Sequence, residues 1–268
     1  MHSLEAVCAY LAQIAPLRLA EPWDNVGLLV GDRRRSASRI MTCLTITPNV
    51  VDEAIDENAE LIITHHPLPF KSLSRITTDS IAGGMLLRLI GAGTAIYSAH
   101  TAFDSAAGGI NQMWADLLGL QSVQPLVTPS EGAADDVAAD GSGRFGRLAQ
   151  SLPLQELVAR AAAAVGAAAP RRVGDADLSV TKVAVACGSG GSFLAAAQRR
   201  GCDAMITGEA TFHTCLEAES LGIGLGLLGH YWSERFAMER LVQTLLEEFP
   251  KLTIWPSRSE HDPVVGIS

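Results

Sequence analysis

Leu61 to Phe70 reads LIITHHPLPF, and its first half decides the fold. Four β-formers in succession, without the polar alternation of a half-solvated strand, fit a strand buried on both faces of a sheet. The stretch before it, PNVVDEAIDENA (48–59), is helical. Thr47 stands where a helix N-cap belongs, and Pro48 takes the first helical position, where no N–H is needed. Upstream, Arg39 to Ile46 reads as a strand; downstream, a helix around Ile81 to Leu89 leads to a further strand, GTAIYS (93–98). Strands alternating with helices of this length predict βαβ units and a mainly parallel sheet. Open sheets of that kind bind ligands beyond the carboxyl ends of their strands. LIIT delivers His65 and His66 to such an end, and GTAIYS delivers His100 and, four residues on, Asp104.

The rest of the chain extends the pattern. SLEAVCAYLAQIA (3–15) is an amphipathic helix with Leu4, Val7, Cys8, Leu11 and Ala15 on one face, followed by a loop in EPWDNVGLLVG (21–31). Between Ser122 and about Asp140 the composition turns to Pro, Ser, Gly, Asp and Ala, which predicts a linker or a long surface loop. A second α/β run follows: helix LPLQELVARAAAAVGAA (152–168), strand TKVAVAC (181–187), turn GSGGS (188–192), helix FLAAAQRRG (193–201) and strand CDAMITGE (202–209). ELIITHH and DAMITGE occupy equivalent places, a faint trace of two similar halves. GIGLGLLGH (222–230) reads as a strand ending in His230, with Ser233 placed to cap a helix opening at Glu234, and KLTIWP (251–256) as a last strand.

Composition narrows the function. The 268 residues carry a formal net charge of −9, which argues against a binder of nucleic-acid backbones, since that affinity rests on Lys and Arg displacing counterions. Five scattered cysteines with no C-x-x-C pair indicate neither a disulfide framework nor a zinc ribbon and suit a reducing cytoplasm. The N-terminus lacks the basic cluster of a secretory signal, and no stretch is long and apolar enough to span a bilayer.

His65, His66, Asp104, His230 and Glu234, with His100 close by, thus come from three strand ends that a parallel sheet brings to one edge. Imidazoles donate to borderline metals, and carboxylates lower the charge and bridge ions. Five or six such groups exceed one tetrahedral site, so two metals are the economical reading. A lone histidine such as His2 or His261 is more often a hydrogen-bonded surface or core group. Adjacent strand residues point to opposite faces, so His65 and His66 share a site only because the strand ends there and Pro67 turns the chain.

PWDNVGLLVG, ITHHPLPFKSL, SAHTAFD, GGIN, TGEATFH and GHYWSER occur in the order and approximate spacing of the Nif-three-like family, whose members are labelled GTP cyclohydrolase I type 2 homologues or dinuclear metal centre proteins. The chain resembles that family over nearly its whole length. The resemblance places the metal ligands on His65, His66, Asp104, His230 and Glu234. It implies two similar α/β subdomains with mixed, mainly parallel sheets flanked by helices, here 1–121 with 228–268 for the metal-binding subdomain and 122–227 for the second. It also implies a toroidal homohexamer with the metal sites facing its interior. Family members usually carry HTNLD where this chain has Ala102 and Phe103, and GHHATE where it has Tyr231 and Trp232, so a more aromatic pocket wall is expected. The chain is too short for the inserted domain some members carry.

Other motifs have plainer readings beside functional ones. CGSGGS between a strand and a helix resembles a phosphate cradle but lacks the P-loop lysine and the dinucleotide spacing, so a structural turn is expected. Trp23, Asp24 and Asn25 line the site or belong to a loop that bonds to itself. Glu209 and His213 serve as proton shuttle or support for the metals, or as a helix-start carboxylate and a partly exposed imidazole. Arg33 to Arg35 is a solvated run. Two divalent ions among Zn, Fe, Mn, Co or Ni, facing two carboxylates, leave a cationic pocket inside an acidic protein, which attracts small anions such as phosphate esters or nucleotides. The leading expectation is a metal-dependent hydrolase, with water activated by the ions and Glu209, His213 or His100 relaying protons. The competing expectations are metal storage or delivery, and a ring-shaped scaffold without turnover.

Overall fold

The computed structural model describes residues 2–128 and 140–266. Strand β1 (His2–Ser3) leads into helix α1 (Leu4–Ile14), where the Ser3 hydroxyl accepts from the Ala6 N–H and Leu4, Val7, Cys8 and Leu11 are buried, the face read from their spacing. Strands β2 (Gly27–Val30), β3 (Ser36–Ala37) and β4 (Arg39–Cys43) come next. Helix α2 (Pro48–Asp56) starts as expected, with the Thr47 hydroxyl accepting from the Val50 N–H. It is followed by β5 (Leu61–Thr64), α3 (Ile81–Ala92), β6 (Ala95–Ser98) and α4 (His100–Ser105). Then come α5 (Ile110–Leu117), β7 (Gln121–Val127), β8 (Ser142–Pro153), α6 (Leu154–Val165), β9 (Arg171–Val173) and β10 (Ser179–Ala186). The chain ends with α7 (Leu194–Arg199), β11 (Ala204–Thr207), α8 (Phe212–Leu221), β12 (Gly224–Leu227), α9 (His230–Glu248) and β13 (Thr253–Pro256).

Two compact units result, Met1–Phe103 with Ala237–His261, and Asp104–Phe236 with Asp262–Ser268. The first holds a five-stranded sheet of order β13-β4-β5-β6-β2. Its first four strands run parallel and β2 is antiparallel to β6. β5 is the central strand, with Leu61 between Ile40 and Ala95 and Thr64 between Cys43 and Ser98. All four of its residues are buried, which is why LIIT shows no polar alternation. Met41, Ile62 and Ile96 pack one face against Val50, Val51 and Ala54 of α2 and Leu86 and Leu89 of α3.

The second unit holds a six-stranded sheet of order β7-β8-β10-β11-β12-β9. β10, β11 and β12 are parallel; β7, β8 and β9 join antiparallel. Its core includes Ala184, Met205 and Leu225 with Leu194 and Ala197 of α7 and Ala218 of α8. Three expectations change here. The stretch read as a linker from Ser122 is strand β7 as far as Val127, paired with β8; 129–139 lie outside the described residues. β12 stops at Leu227, and His230 opens α9. Ser233 therefore sits inside α9, where its hydroxyl donates to the His230 carbonyl and accepts from the Gly188 N–H. Among the described residues no helix is long and apolar enough to cross a membrane.

Candidate metal centre

Within the first unit the site begins where β5 ends. The ladder continues past Thr64, with the His65 N–H donating to the Cys43 carbonyl at 3.0 Å and the His66 N–H to Leu44 at 2.8 Å. The Ser98 hydroxyl donates to the His65 carbonyl, and the Thr64 hydroxyl to the carbonyls of Leu44 and His66. On this fixed backbone the His65 and His66 rings lie 5.1 Å apart, and both stand edge-on to His100, at 5.2 and 5.6 Å. One ring nitrogen from each of the three lies within 4.8 Å of the others. Nδ1 of His66 is 2.6 Å from the Thr45 hydroxyl, which directs its Nε2 to any ligand.

His100 is held from a distant loop. Its φ is +33°, sparsely populated for a residue with a side chain and costing of order 1 kcal/mol or more. Asp24, fully buried in its side chain, places Oδ1 2.7 Å from His100 Nδ1. Its Oδ2 accepts from the N–H and hydroxyl of Thr101. Burial alone would raise the Asp24 pKa, but these bonds from His100 and Thr101 outweigh it and hold the carboxylate at about 2. Asn25 donates from its side chain to the Pro69 carbonyl at 2.8 Å. The WDN segment is thus a bracket between two strand-end segments, closed locally by the Asn25 N–H to Asp24 Oδ1 bond and by the Asp24 N–H to Glu21 carbonyl bond.

In the second unit His230, first residue of α9, is gripped at both nitrogens. Nε2 lies 3.0 Å from Glu234 Oε2, one turn on, and Nδ1 lies 3.0 Å from Glu209 Oε1. The Ser189 hydroxyl donates to the same Glu209 oxygen. Chiefly through Glu234, against burial and with help from Glu209, the His230 pKa is pushed up to about 9. The bonds from His230 and Ser189 lower that of Glu209. Asp104 accepts from the Cys187 thiol at 3.2 Å, while the Asn111 side chain donates to the Asp104 carbonyl and accepts from the Cys187 N–H. Burial first, then the charges of Asp104 and Glu234, raises the Cys187 pKa well above its usual value. Gly188 has φ +60°, and a Cβ there would stand 2.2 Å from Glu234 Oε1. Only glycine allows that approach.

These groups fit divalent cations. Three imidazoles converging within 4.8 Å are a nitrogen donor set for borderline metals. A histidine with a carboxylate on each nitrogen already requires a positive charge, and a metal ion can take the place of the proton on Nε2 with Glu234 as co-ligand. His213 stands apart, exposed in the first turn of α8 with its ring against Phe212 at 5.8 Å. Ala102 and Phe103 are buried, and Phe103 lines a small cavity beside His65 and His100. Tyr231 and Trp232 are half-buried, their rings 5.2 Å apart. In CGSGGS the Gly188 and Gly190 amides donate to the hydroxyls of Ser233 and Thr207, so the turn is structural and those amides are spent. Cys187 and Ser189 were not singled out by sequence reasoning. Cys187 has the same address as His65, the first residue after a buried parallel strand, and that address was its signal.

The profile of the family described as Duf34/NIF3 (NGG1p interacting factor 3) matches residues 2–263. A Clostridium acetobutylicum protein named GTP cyclohydrolase 1 type 2 homolog is 37% identical over 228 residues, covering 85% of this chain and 84% of its own. NIF3-like protein 1 of Drosophila melanogaster is 32% identical over 99% of this chain and 89% of its own. Among solved structures, a hypothetical protein of Staphylococcus aureus superposes with a TM-score of 0.89 at 25% identity, covering 99% of both chains.

Proposed function

Since the chain belongs to the Duf34/NIF3 family, we propose that it binds two divalent metal ions through His65, His66, Asp104, His230 and Glu234 and hydrolyses a small phosphorylated or nucleotide-like molecule. The observation that carries this reading is the convergence of three imidazole nitrogens within 4.8 Å at the end of β5 and the start of α4. Zn, Fe, Mn, Co and Ni all suit such donors. Bound there, the ions would acidify water and stabilise developing negative charge on the substrate.

The protein's own groups have distinct tasks. Asp24 turns the His100 ring so that Nε2 faces the other imidazoles, leaving a proton on Nδ1. Glu209, anchored by Ser189, takes His230 Nδ1 and so presents Nε2 alongside Glu234. His100 and Glu209, each fixed by a hydrogen bond and each partly exposed to solvent, are placed to pass protons between solvent and substrate. His213 shares neither kind of anchoring.

Two ions facing the Asp104 and Glu234 carboxylates leave a positive pocket that favours an anion. The name of the clostridial relative is in keeping with a nucleotide-like substrate. Five cysteines, none in a disulfide, are in keeping with a cytoplasmic setting, and a ring of six copies follows the family pattern. Elemental analysis of the purified protein should find about two transition-metal equivalents per chain, and a phosphoesterase and nucleotide panel run with added Mn, Zn, Fe or Co should show turnover that Glu234→Gln abolishes. A protein that turns over nothing in the panel and passes its metal readily to an apo acceptor would be a carrier instead.

A further inference from the structure

Trp23 and Phe70 are large aromatics left 61% and 48% exposed. Their ring centroids are 6.0 Å apart at 47°. Each also meets His100 edge-on, Trp23 at 6.0 Å and Phe70 at 6.1 Å. All three lie within the first unit, Trp23 and Phe70 on two separate loops and His100 at the start of α4, and these segments are tied together. Asn25 bonds to Pro69, the residue before Phe70; Asp24, the residue after Trp23, bonds to His100 and Thr101; and the Glu21 N–H donates to the Thr101 hydroxyl at 2.9 Å. The two rings therefore form a fixed aromatic shelf, and both meet His100, one member of the imidazole cluster.

We propose that Trp23 and Phe70 form a stacking platform for the planar heteroaromatic ring of the substrate, a nucleobase or a ring of that kind, whose phosphate is held by the metal ions. The proposal rests on the metal-centre reading above and adds the class of substrate. Exposed aromatic faces attract flat π-systems with little regard to their hydrogen-bonding edges. Because the loops are pinned in advance, little ordering cost remains at binding. Aliphatic phosphate esters gain nothing from such a surface. The adjacency to His100 also fixes the occupant as a small molecule, since one end must lie at the donor cluster while the other covers the shelf.

The test is calorimetric titration of the metal-loaded full-length protein with GMP and with ribose 5-phosphate, which offers the same phosphate and sugar without a base. Wild type is expected to bind GMP at least about tenfold more tightly than ribose 5-phosphate. Trp23→Leu should remove most of that advantage and Phe70→Leu a smaller part, with ribose 5-phosphate affinity unchanged in both. Equal affinity of wild type for the two ligands overturns the platform alone, as does a loss in Trp23→Leu that is the same for both. If neither ligand binds, the metal-centre reading falls with it. A change of particle mass in Trp23→Leu on size exclusion would mean that the shelf is covered by a second copy of the chain, which also overturns the proposal.

Discussion

Asp24 reaches His100 across 76 positions of sequence, and its buried carboxylate accepts from Nδ1 while holding Thr101 by two further bonds. An imidazole turned this way keeps its Nδ1 proton on Asp24 and leaves Nε2, facing His65 and His66, as the atom that takes up and returns a proton at the site, and partners of this kind typically alter activity 10–100-fold when removed. Asp24→Ala should therefore lower turnover of the metal-loaded protein by about 10- to 100-fold, read as the initial rate on whichever member of the phosphoesterase and nucleotide panel it hydrolyses. Asp24→Asn keeps an oxygen that can accept from Nδ1–H but loses the acceptor that Thr101 needs, so it should recover part of the loss. If Asp24→Asn matched Asp24→Ala, the orienting role would be refuted and the segment would be merely structural. His65, His66 and His100 were legible in the sequence because each closely follows a recognisable strand. Asp24 was not, since an Asp-Asn pair before apolar residues looks the same whether it bonds to itself or to a distant ring.

At the scale of elements, α2 does more than cover the sheet. Glu53, in the middle of that helix, accepts from the Ser257 hydroxyl at 2.7 Å and from the backbone amides of Arg258 and Ser259, fastening the segment that follows β13. Burial by itself would raise its pKa, but the bonds from Ser257, Arg258 and Ser259 outweigh it and set the value at about 2, against 4.5 for the ordinary side chain. The carboxylate is thus lowered on folding. Its contribution is complete above pH 4.5 and disappears as the pH falls through about 2. Glu53→Gln should cost about 2–3 kcal/mol at neutral pH and flatten the acid limb of the stability curve, as measured by urea unfolding between about pH 7 and pH 2. Parallel acid limbs for variant and wild type would contradict this role. α2 itself was readable from Thr47 and Pro48, because a cap and an N1 proline act locally. β8 was not. GRFGRLAQSL mixes glycine, arginine and apolar residues, and only pairing with β7 on one side and β10 on the other makes it a strand. For the same reason Ser122 to Val127 passed for linker. The end of β12 was misjudged because Leu228 continues the apolar run, whereas Gly229, at φ +92°, turns the chain so that His230 starts a helix.

At the scale of the whole chain, large apolar residues stand in solvent on two helices. Ile81, Leu87 and Ile90 of α3 are exposed, Ile81 by 75%, and Phe212, Leu216 and Leu221 of α8 are exposed, Phe212 by 72%. Surfaces of this kind mark contact with other molecules, and a net charge of −9 means that copies associate only where apolar burial overcomes mutual repulsion. The homohexamer proposed from the family pattern gives these helices an occupant. Six chains of 28.2 kDa make a particle of about 170 kDa, which light scattering at the exit of a sizing column would register directly. Ile81→Glu and Phe212→Glu place a charge at the most exposed point of each face without touching a core residue, so both variants should fold with wild-type circular dichroism. Whichever helix lies in the assembly contact should then yield smaller particles when its residue is charged, and more so at low ionic strength, where repulsion is least screened. A wild type eluting at the mass of one chain would refute the ring. A 170 kDa particle unmoved by either substitution would remove α3 and α8 from its contacts and leave their apolar faces to partners of another kind.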